Sequence, residues 1–361
     1  MTSLLRRRCY SSATSACRSV ADTLCADLLC NAKQAPPQIR AQALDPDQLH
    51  RLSRTLKRPS LYSDLPLEEQ VPANQLSGRP VVDYGTPLPP GYHLAYFTPT
   101  SHNNELGPDG TDLAFSPPAP FTRRMWAGGR IEWRKDHPLR VGTSLATETS
   151  SLVSAVVKRN RVGEEMIIVS VEKEYRNGPG EGEVSLVDRR DWVFRETLPE
   201  GAAEASLAQQ EEGQEKRLGD EEIEAMLPSK VDSNDGPILR TRDFVQTPTS
   251  LFRFSALTFN AHMIHYSRDW ARQMEGQRDV VVHGPLNLIN MLDLWRDSQQ
   301  GDRGNGYAIP ASINYRATAP FYVGERYRGI LQAEGGKTAV RLWGIDGKGG
   351  SRVGMMGDIV N

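Results

Sequence analysis

Cysteine is missing from most of this chain. All four, Cys9, Cys17, Cys25 and Cys30, fall in the first thirty of 361 residues. The body therefore holds no disulfide framework, no thiolate-ligated metal and no cysteine nucleophile. Long apolar runs are missing too: none approaches the roughly 18 residues a membrane span requires. Net charge is nearly absent, at −2, which excludes a nucleic-acid binder that relies on bulk charge. Histidine is scarce, with seven in all, yet three of them, His262, His265 and His283, crowd one short region.

What the chain does have begins with arginine. The opening MTSLLRRRCYSSATSACRSV carries Arg6, Arg7, Arg8 and Arg18, many hydroxyl residues, and no acid before Asp22. That is transit-peptide composition. With Arg8 two residues before Tyr10, it also has the form of a mitochondrial processing site, so residues 1–30 are expected to act as an address to the mitochondrial matrix. A basic tail with no such role is the plain alternative. Cleavage after Tyr10 would take the charge from −2 to −2 − 3 = −5.

Residues 31–196 read as one folded half. Asp45-Pro46 followed by Leu49, Leu52 and Leu56 predicts a capped amphipathic helix. Pro and Gly fill the stretch from about 60 to 120, predicting loops with short helical turns. GGRIEWRK, EEMIIVSVEKEYR and VSLVDRRDWVFRE then predict antiparallel strands ending near 196. Residues 197–240 are acidic and without aromatics, the composition of a linker, with a short helix at DEEIEAML.

A second half covers 241–361. Arg253 to Ala256 reads as the end of a strand and Ser267 to Met274 as a short helix. PLNLINMLDLW is apolar around most of a helix circumference, which predicts a buried helix. ASINYRAT, FYVGERYRGILQAE, KTAVRLWGID and SRVGMMGDIV follow as four strands. The similar ending of the first half suggests that both halves share one plan.

The chemistry-bearing stretch is FSALTFNAHMIHY, followed by VVHGPLNLINMLDLW. His262 and His265 lie one helical turn apart among apolar neighbours, and the nearest carboxylate along the chain is Asp269. Such a pattern fits an acid/base site, a metal site, or packed histidines satisfied by backbone. A zinc site from His262, His265 and His283 is possible by count, but the 262–265 spacing is weak support for it.

RFSALTFNAHMIH with VVHGPL after it resembles the MaoC-like dehydratase/hydratase group. Within that group the likeness is to fungal mitochondrial hydroxyacyl-thioester dehydratase type 2 and bacterial mesaconyl-C4-CoA hydratases. LPPGYHLAYF, ELGPDG and FTRRMWAGGRIEW resemble the degenerate half that precedes the active half there. The resemblance implies an α+β double hot-dog fold, two antiparallel sheets each wrapping a central helix, and it implies no metal and no cofactor. Laid on the group's Gly-Asp-x-Asn-Pro-x-His motif, the aspartate falls on Asn260, the asparagine on His262 and the histidine on His265. The carboxylate of the broad pattern is therefore absent here.

The activity so implied is syn elimination of water from a (3R)-hydroxyacyl thioester to give a trans-2-enoyl thioester. It would act on chains carried by acyl carrier protein or CoA in mitochondrial fatty-acid synthesis. The reaction needs a proton carrier with a pKa near working pH, a role that suits His265. Asn260 can hold a hydroxyl or water but not exchange a proton. His262 is the candidate for the second acid/base function. Charge on the thioester oxygen needs N–H donors at a helix start, which points to Gly284 in the turn His283-Gly284-Pro285. His283 itself reads as a turn residue that bonds backbone, with contact to substrate as the alternative.

The RRMWAGGR segment, with Arg123, Arg124, Trp126, Gly128, Gly129 and Arg130, reads as a Gly-rich basic structural turn, with contact to a phosphopantetheine or CoA phosphate as the alternative, although it lacks the spacing of a nucleotide loop. A second enzymatic reading is a hydratase of small dicarboxylyl-CoA thioesters, for which Arg253 and Arg316 are candidate carboxylate partners. A non-catalytic acyl-thioester binding protein is a third. A homodimer stays open, because paired halves within one chain can satisfy the usual pairing internally.

Overall fold

The computed structural model describes residues 19–361 apart from 59, 63–64, 67–81, 143, 161, 181, 212–218, 229–235, 300–306 and 347–349. The residues around Tyr10, with Cys9 and Cys17, lie outside the described part, as do portions of the acidic stretch. Among the described residues no helix is long and apolar enough to cross a membrane.

Among the described residues ten strands form one antiparallel sheet. The first half supplies β1 (Gln38–Ala43), β4 (Arg123–Trp133), β5 (Leu145–Arg159), β6 (Glu165–Asn177) and β7 (Val184–Arg195). The short pair β2 (Ser60–Tyr62) and β3 (Leu65–Pro66) stands apart. The second half supplies β8 (Ile238–Val245), β9 (Ser312–Ala317), β10 (Arg326–Glu334), β11 (Lys337–Ile345) and β12 (Ser351–Val360). The spatial order is β1-β5-β6-β7-β4-β9-β12-β11-β10-β8. Each half thus follows the same path, outward from its second strand to its first. The two meet where β4 pairs with β9, from Gly128↔Arg316 to Glu132↔Ser312.

The expected pair of sheets is therefore joined edge to edge, and the central helices are unequal. In the second half, α6 (Gly284–Ser298) lies in the core with Leu286, Leu288, Ile289, Met291, Leu292, Leu294 and Trp295 all at 1% exposure or less. Apolar residues all round the helix require burial on every side, and the core provides it. Among the described residues the matching place in the first half holds the short turn Tyr92–Ala95. Its sheet is covered instead by α1 (Val20–Gln34), whose Ala21 and Cys25 pack with Ile167, Val169 and Phe194. Residues 20–30, grouped by composition with the transit-like start, thus belong to this packed helix.

Local chemistry explains the two helices that follow the first strand of each half. α2 (Pro46–Thr55) is capped by Asp45, whose carboxylate accepts from Asp47 N at 2.9 Å, with Pro46 in its first turn. α5 (Pro248–Leu257) is capped by Thr247, whose hydroxyl accepts from Ser250 N at 3.1 Å. α5 replaces the strand end expected at Arg253–Ala256. The acidic stretch also holds α3 (Ala202–Glu211) and α4 (Asp220–Met226), and β8 begins before residue 240. The basic RRMWAGGR segment is strand rather than turn. A bulge between Trp126 and Gly128 lets Arg124 and Trp126 share a face with Gly129 and Ile131.

Ion pairs tie the first half to the end of α6. Arg58 is 6% exposed and donates to both carboxylate oxygens of Asp297. Asp293 lies 3.6 Å from the same guanidinium and 2.7 Å from Arg296.

Candidate active site

A cavity of about 1130 Å³ opens where the halves meet. Asn260, His262, His265 and Gly284 of the second half line it, facing Gly110, Arg124 and Trp126 of the first.

His265 ends the helical turn Met263–His265 that follows α5. Its Nδ1 lies 2.8 Å from Val281 O. A carbonyl only accepts, so Nδ1 carries the hydrogen and Nε2 keeps its lone pair in the neutral ring. The ring stacks on His283 with centroids 3.8 Å apart and meets His262 edge-on at 5.3 Å. Burial pushes its pKa down to about 4; the Val281 carbonyl raises it and the Arg124 charge lowers it further. His262 and His283 are held well below the ordinary range, by burial first and then by their histidine neighbours. Neutral imidazoles are therefore the resting state at neutral pH.

His283 precedes α6 and is fully buried, with Nε2 2.9 Å from Ser255 Oγ. It sits behind the wall, supporting the His265 ring. Gly284 is on the wall, at the start of a fifteen-residue helix. A Cβ there would come within 2.9 Å of the Trp126 ring, so only glycine lets strand β4 approach this turn. Asn260 turns its Oδ1 to His262 N at 3.1 Å, which shapes the loop.

The carboxylate missing from position 260 comes from the other half. Asp109, in the Gly-Pro-Asp-Gly turn, places Oδ2 3.3 Å from His262 Nε2. Neither atom has another partner among the described residues. Oδ1 is held by Thr111 N at 3.0 Å and Thr111 Oγ1 at 2.6 Å. The turn is strapped to the histidine loop by Met263 N donating to Asp109 O at 2.8 Å. Gly110, at φ +80°, passes so close that a Cβ would lie 2.1 Å from Ala261 O.

Sequence reasoning brought His262, His265, Asn260 and Gly284 to one place, and the structure sets them on one wall. It missed Asp109, because an aspartate between Pro and Gly is ordinary turn chemistry. Arg253 is exposed on α5 and off the cavity wall; Arg316 is on the wall but exposed.

Among the described residues the group able to hold a metal is not the three histidines but Asp109, His262 and Glu275, whose ligand atoms lie within 4.8 Å of one another. Arg123 already supplies a cation to Glu275 at 2.9 Å, and the Arg124 charge is felt at His262. Both guanidinium charges oppose a further cation there.

Over residues 91–323 the chain matches the family described as hydroxyacyl-thioester dehydratase type 2. It is 31% identical, over 75% of its length and 83% of the relative's, to mesaconyl-C(4)-CoA hydratase of Chloroflexus aurantiacus. It is 28% identical, over 58% of its length and 68% of the relative's, to the mitochondrial hydroxyacyl-thioester dehydratase type 2 of Schizosaccharomyces pombe. A MaoC-like dehydratase from Phytophthora capsici superposes with a TM-score of 0.55 at 14% identity, covering 92% of this chain and 98% of that one. A Mycobacterium tuberculosis protein described as a double hotdog fold gives 0.50 at 12% identity, covering 90% and 95%. At such identities these structures establish the double hot-dog fold and nothing finer.

Proposed function

The chain belongs to the hydroxyacyl-thioester dehydratase type 2 family, and from that premise we propose a reaction and a role for each wall residue. The enzyme is a hydro-lyase of acyl thioesters, interconverting a (3R)-hydroxyacyl thioester and its trans-2-enoyl product by syn elimination of water. His265 Nε2 takes the proton from C2. The electron pair left behind forms the C2=C3 bond through a thioester enolate. The Gly284 N–H, at the positive end of α6, stabilises the oxygen of that enolate.

Both departing groups leave from one face, so one imidazole can serve both steps. The His265 imidazolium returns its proton to the hydroxide leaving C3, and water is released. The neutral His262 ring carries one hydrogen, which the Asp109 carboxylate draws to Nε2, and its other nitrogen is an acceptor. With Asp109 at its Nε2, it orients the hydroxyl through the other nitrogen. The observation that carries this reading is the fixed Nδ1–H···O=C bond of His265 to Val281, which leaves an unprotonated nitrogen on the cavity wall.

The finer role in this reading is mitochondrial fatty-acid synthesis in the matrix, on thioesters of acyl carrier protein or CoA. The Schizosaccharomyces pombe relative and the arginine-rich start support it. Incubation of the protein with 3-hydroxyacyl thioesters of four to eight carbons on both carriers, followed by enoyl absorbance, tests it. Absence of turnover on every member would contradict it. Hydration of a small dicarboxylyl-CoA thioester is the second reading, favoured by the charged side chains along the cavity wall.

A further inference from the structure

Two buried carboxylates, Asp109 of the first half and Glu275 of the second, meet beside the histidine loop. Each offers an oxygen within 4.8 Å of the other and of a His262 ring nitrogen. Their partners differ. Glu275 follows the π-helical turn Trp270–Met274 and faces Arg123 of β4, whose Nε donates to its Oε2 at 2.9 Å. The Arg123 Nη2 donates to the backbone carbonyl of the same residue at 3.0 Å, so both arms of the guanidinium end on residue 275. Asp109 has Oδ1 on Thr111 and Oδ2 3.3 Å from His262 Nε2, and among the described residues no Lys or Arg pairs with it. The two carboxylates feel each other. Burial pushes the Glu275 carboxyl up and Arg123 pulls it down, while the Asp109 charge adds to the rise.

Arg123 and His262 therefore compete for Asp109. A guanidinium–carboxylate pair is charged at both ends and can form two bonds, whereas a carboxylate and a neutral imidazole share one bond charged at one end. In a buried place, where water screens little, a guanidinium without a counter-ion would take Asp109 from the ring. The separation of the two carboxylates is shorter than an arginine side chain, so the exchange needs only a turn of Arg123. Arg124 is the other cation whose charge couples to Asp109, and it is held elsewhere. Its Nη1 donates to Asp112 O at 3.0 Å, and its Cζ lies 5.3 Å over the Trp192 ring.

We propose that Glu275 is a positioning residue, the counter-ion that keeps Arg123 off Asp109 and so leaves the Asp109 carboxylate to orient His262. The proposal rests on the thioester hydro-lyase reading of this site. Glu275 is not on the cavity wall and makes or breaks no bond; it acts through Asp109.

Glu275→Gln keeps the shape of the side chain and frees the guanidinium. Its kcat on a 3-hydroxyacyl thioester should fall about 10- to 100-fold, as deep as that of Asp109→Asn, with KM within a few-fold. Adding Arg123→Met removes the freed cation and should raise kcat again by about tenfold. A plain structural clip predicts the reverse, because losing both partners would cost at least as much as losing one. A wild-type rate in Glu275→Gln would overturn the proposal, as would a double variant no faster than the single.

The His262 ring reports the same contact without any reaction, by NMR of protein labelled at the nitrogens of its seven histidines. Wild type should carry the His262 hydrogen on Nε2, Glu275→Gln should lose that preference, and the double variant should regain it. A wild-type hydrogen on Nδ1, or a pattern that Glu275→Gln leaves unchanged, overturns the proposal. Should Glu275→Gln alone not fold, the double variant is read against wild type. A kcat within about tenfold supports the proposal, and a loss as deep as that of Asp109→Asn overturns it. Failure of the hydro-lyase reading is seen separately, as no turnover by wild type with the NMR response intact.

Discussion

Asp109 Oδ2 of the first half lies 3.3 Å from His262 Nε2 of the second, although a whole half-sheet of sequence separates them. The pair supplies, from across the cavity, the carboxylate that Asn260 does not. If it orients His262, Asp109→Asn should lower kcat by about 10- to 100-fold, within the span of a positioned acid/base partner, with KM changed only a few-fold. Asp109→Glu should recover part of the rate. Steady-state kinetics of the two variants check this; a change confined to KM would assign Asp109 to substrate binding instead.

The pH profile of activity follows from the pKa of His265. Burial, with the Arg124 charge adding to it, holds the ring neutral down to about pH 4. The acid limb of kcat/KM should therefore fall near pH 4 to 5 rather than at the ordinary histidine value of about 6.5. Removing the Arg124 cation removes a lowering influence, so the limb of Arg124→Leu should move to higher pH. Profiles measured from pH 4 to 8 decide both points.

Stability should carry the same signature. His262, His265 and His283 all have folded pKa values below the unfolded one, so the unfolded chain binds more protons as pH falls. Their stabilisation is present in full above the unfolded value of about 6.5 and is lost as pH falls through that value toward 4. Urea unfolding at pH 7.5, 6 and 5 should give a progressively smaller free energy. A flat profile over that range would mean that the three rings are not buried neutral.

Arg58 ties the first half to α6 through Asp297 and Asp293. Replacing it with Met leaves Asp297 without the partner that crosses between halves and Asp293 with only the Tyr92 hydroxyl from the first half, although Arg242 and Arg296 remain beside them. Loss of one partner from a buried ion network costs about 3–5 kcal/mol. Chemical denaturation of Arg58→Met should show a loss of this order, and a second change, Asp297→Asn, should make the further loss much less than additive.

Much of this architecture was legible in the residues, and the exceptions have physical causes. Asp45-Pro46 announces α2, and apolar residues around the whole of 286–295 announce a core helix. β5 escaped because its inward-facing row holds Glu148 and Ser150, buried beside Lys173, and so carries no apolar alternation. α5 read as a strand end because its short apolar run fits either period, although Thr247-Pro248 with Ser250 is a helix start. In the site, local spacing revealed His262, His265 and Gly284. Asp109 and Arg124 depend on the β4–β9 junction, a pairing between halves that no local pattern records.

The account stands on His265 as the proton carrier, and its replacement by Ala tests that most directly. Initial rates of enoyl formation from a 3-hydroxyacyl thioester, measured with thioester binding on the same preparation, give the answer. The account predicts a rate lowered by about 10²- to 10⁴-fold with binding retained within a few-fold. A variant that keeps the wild-type rate, or loses rate only in proportion to lost binding, would contradict it.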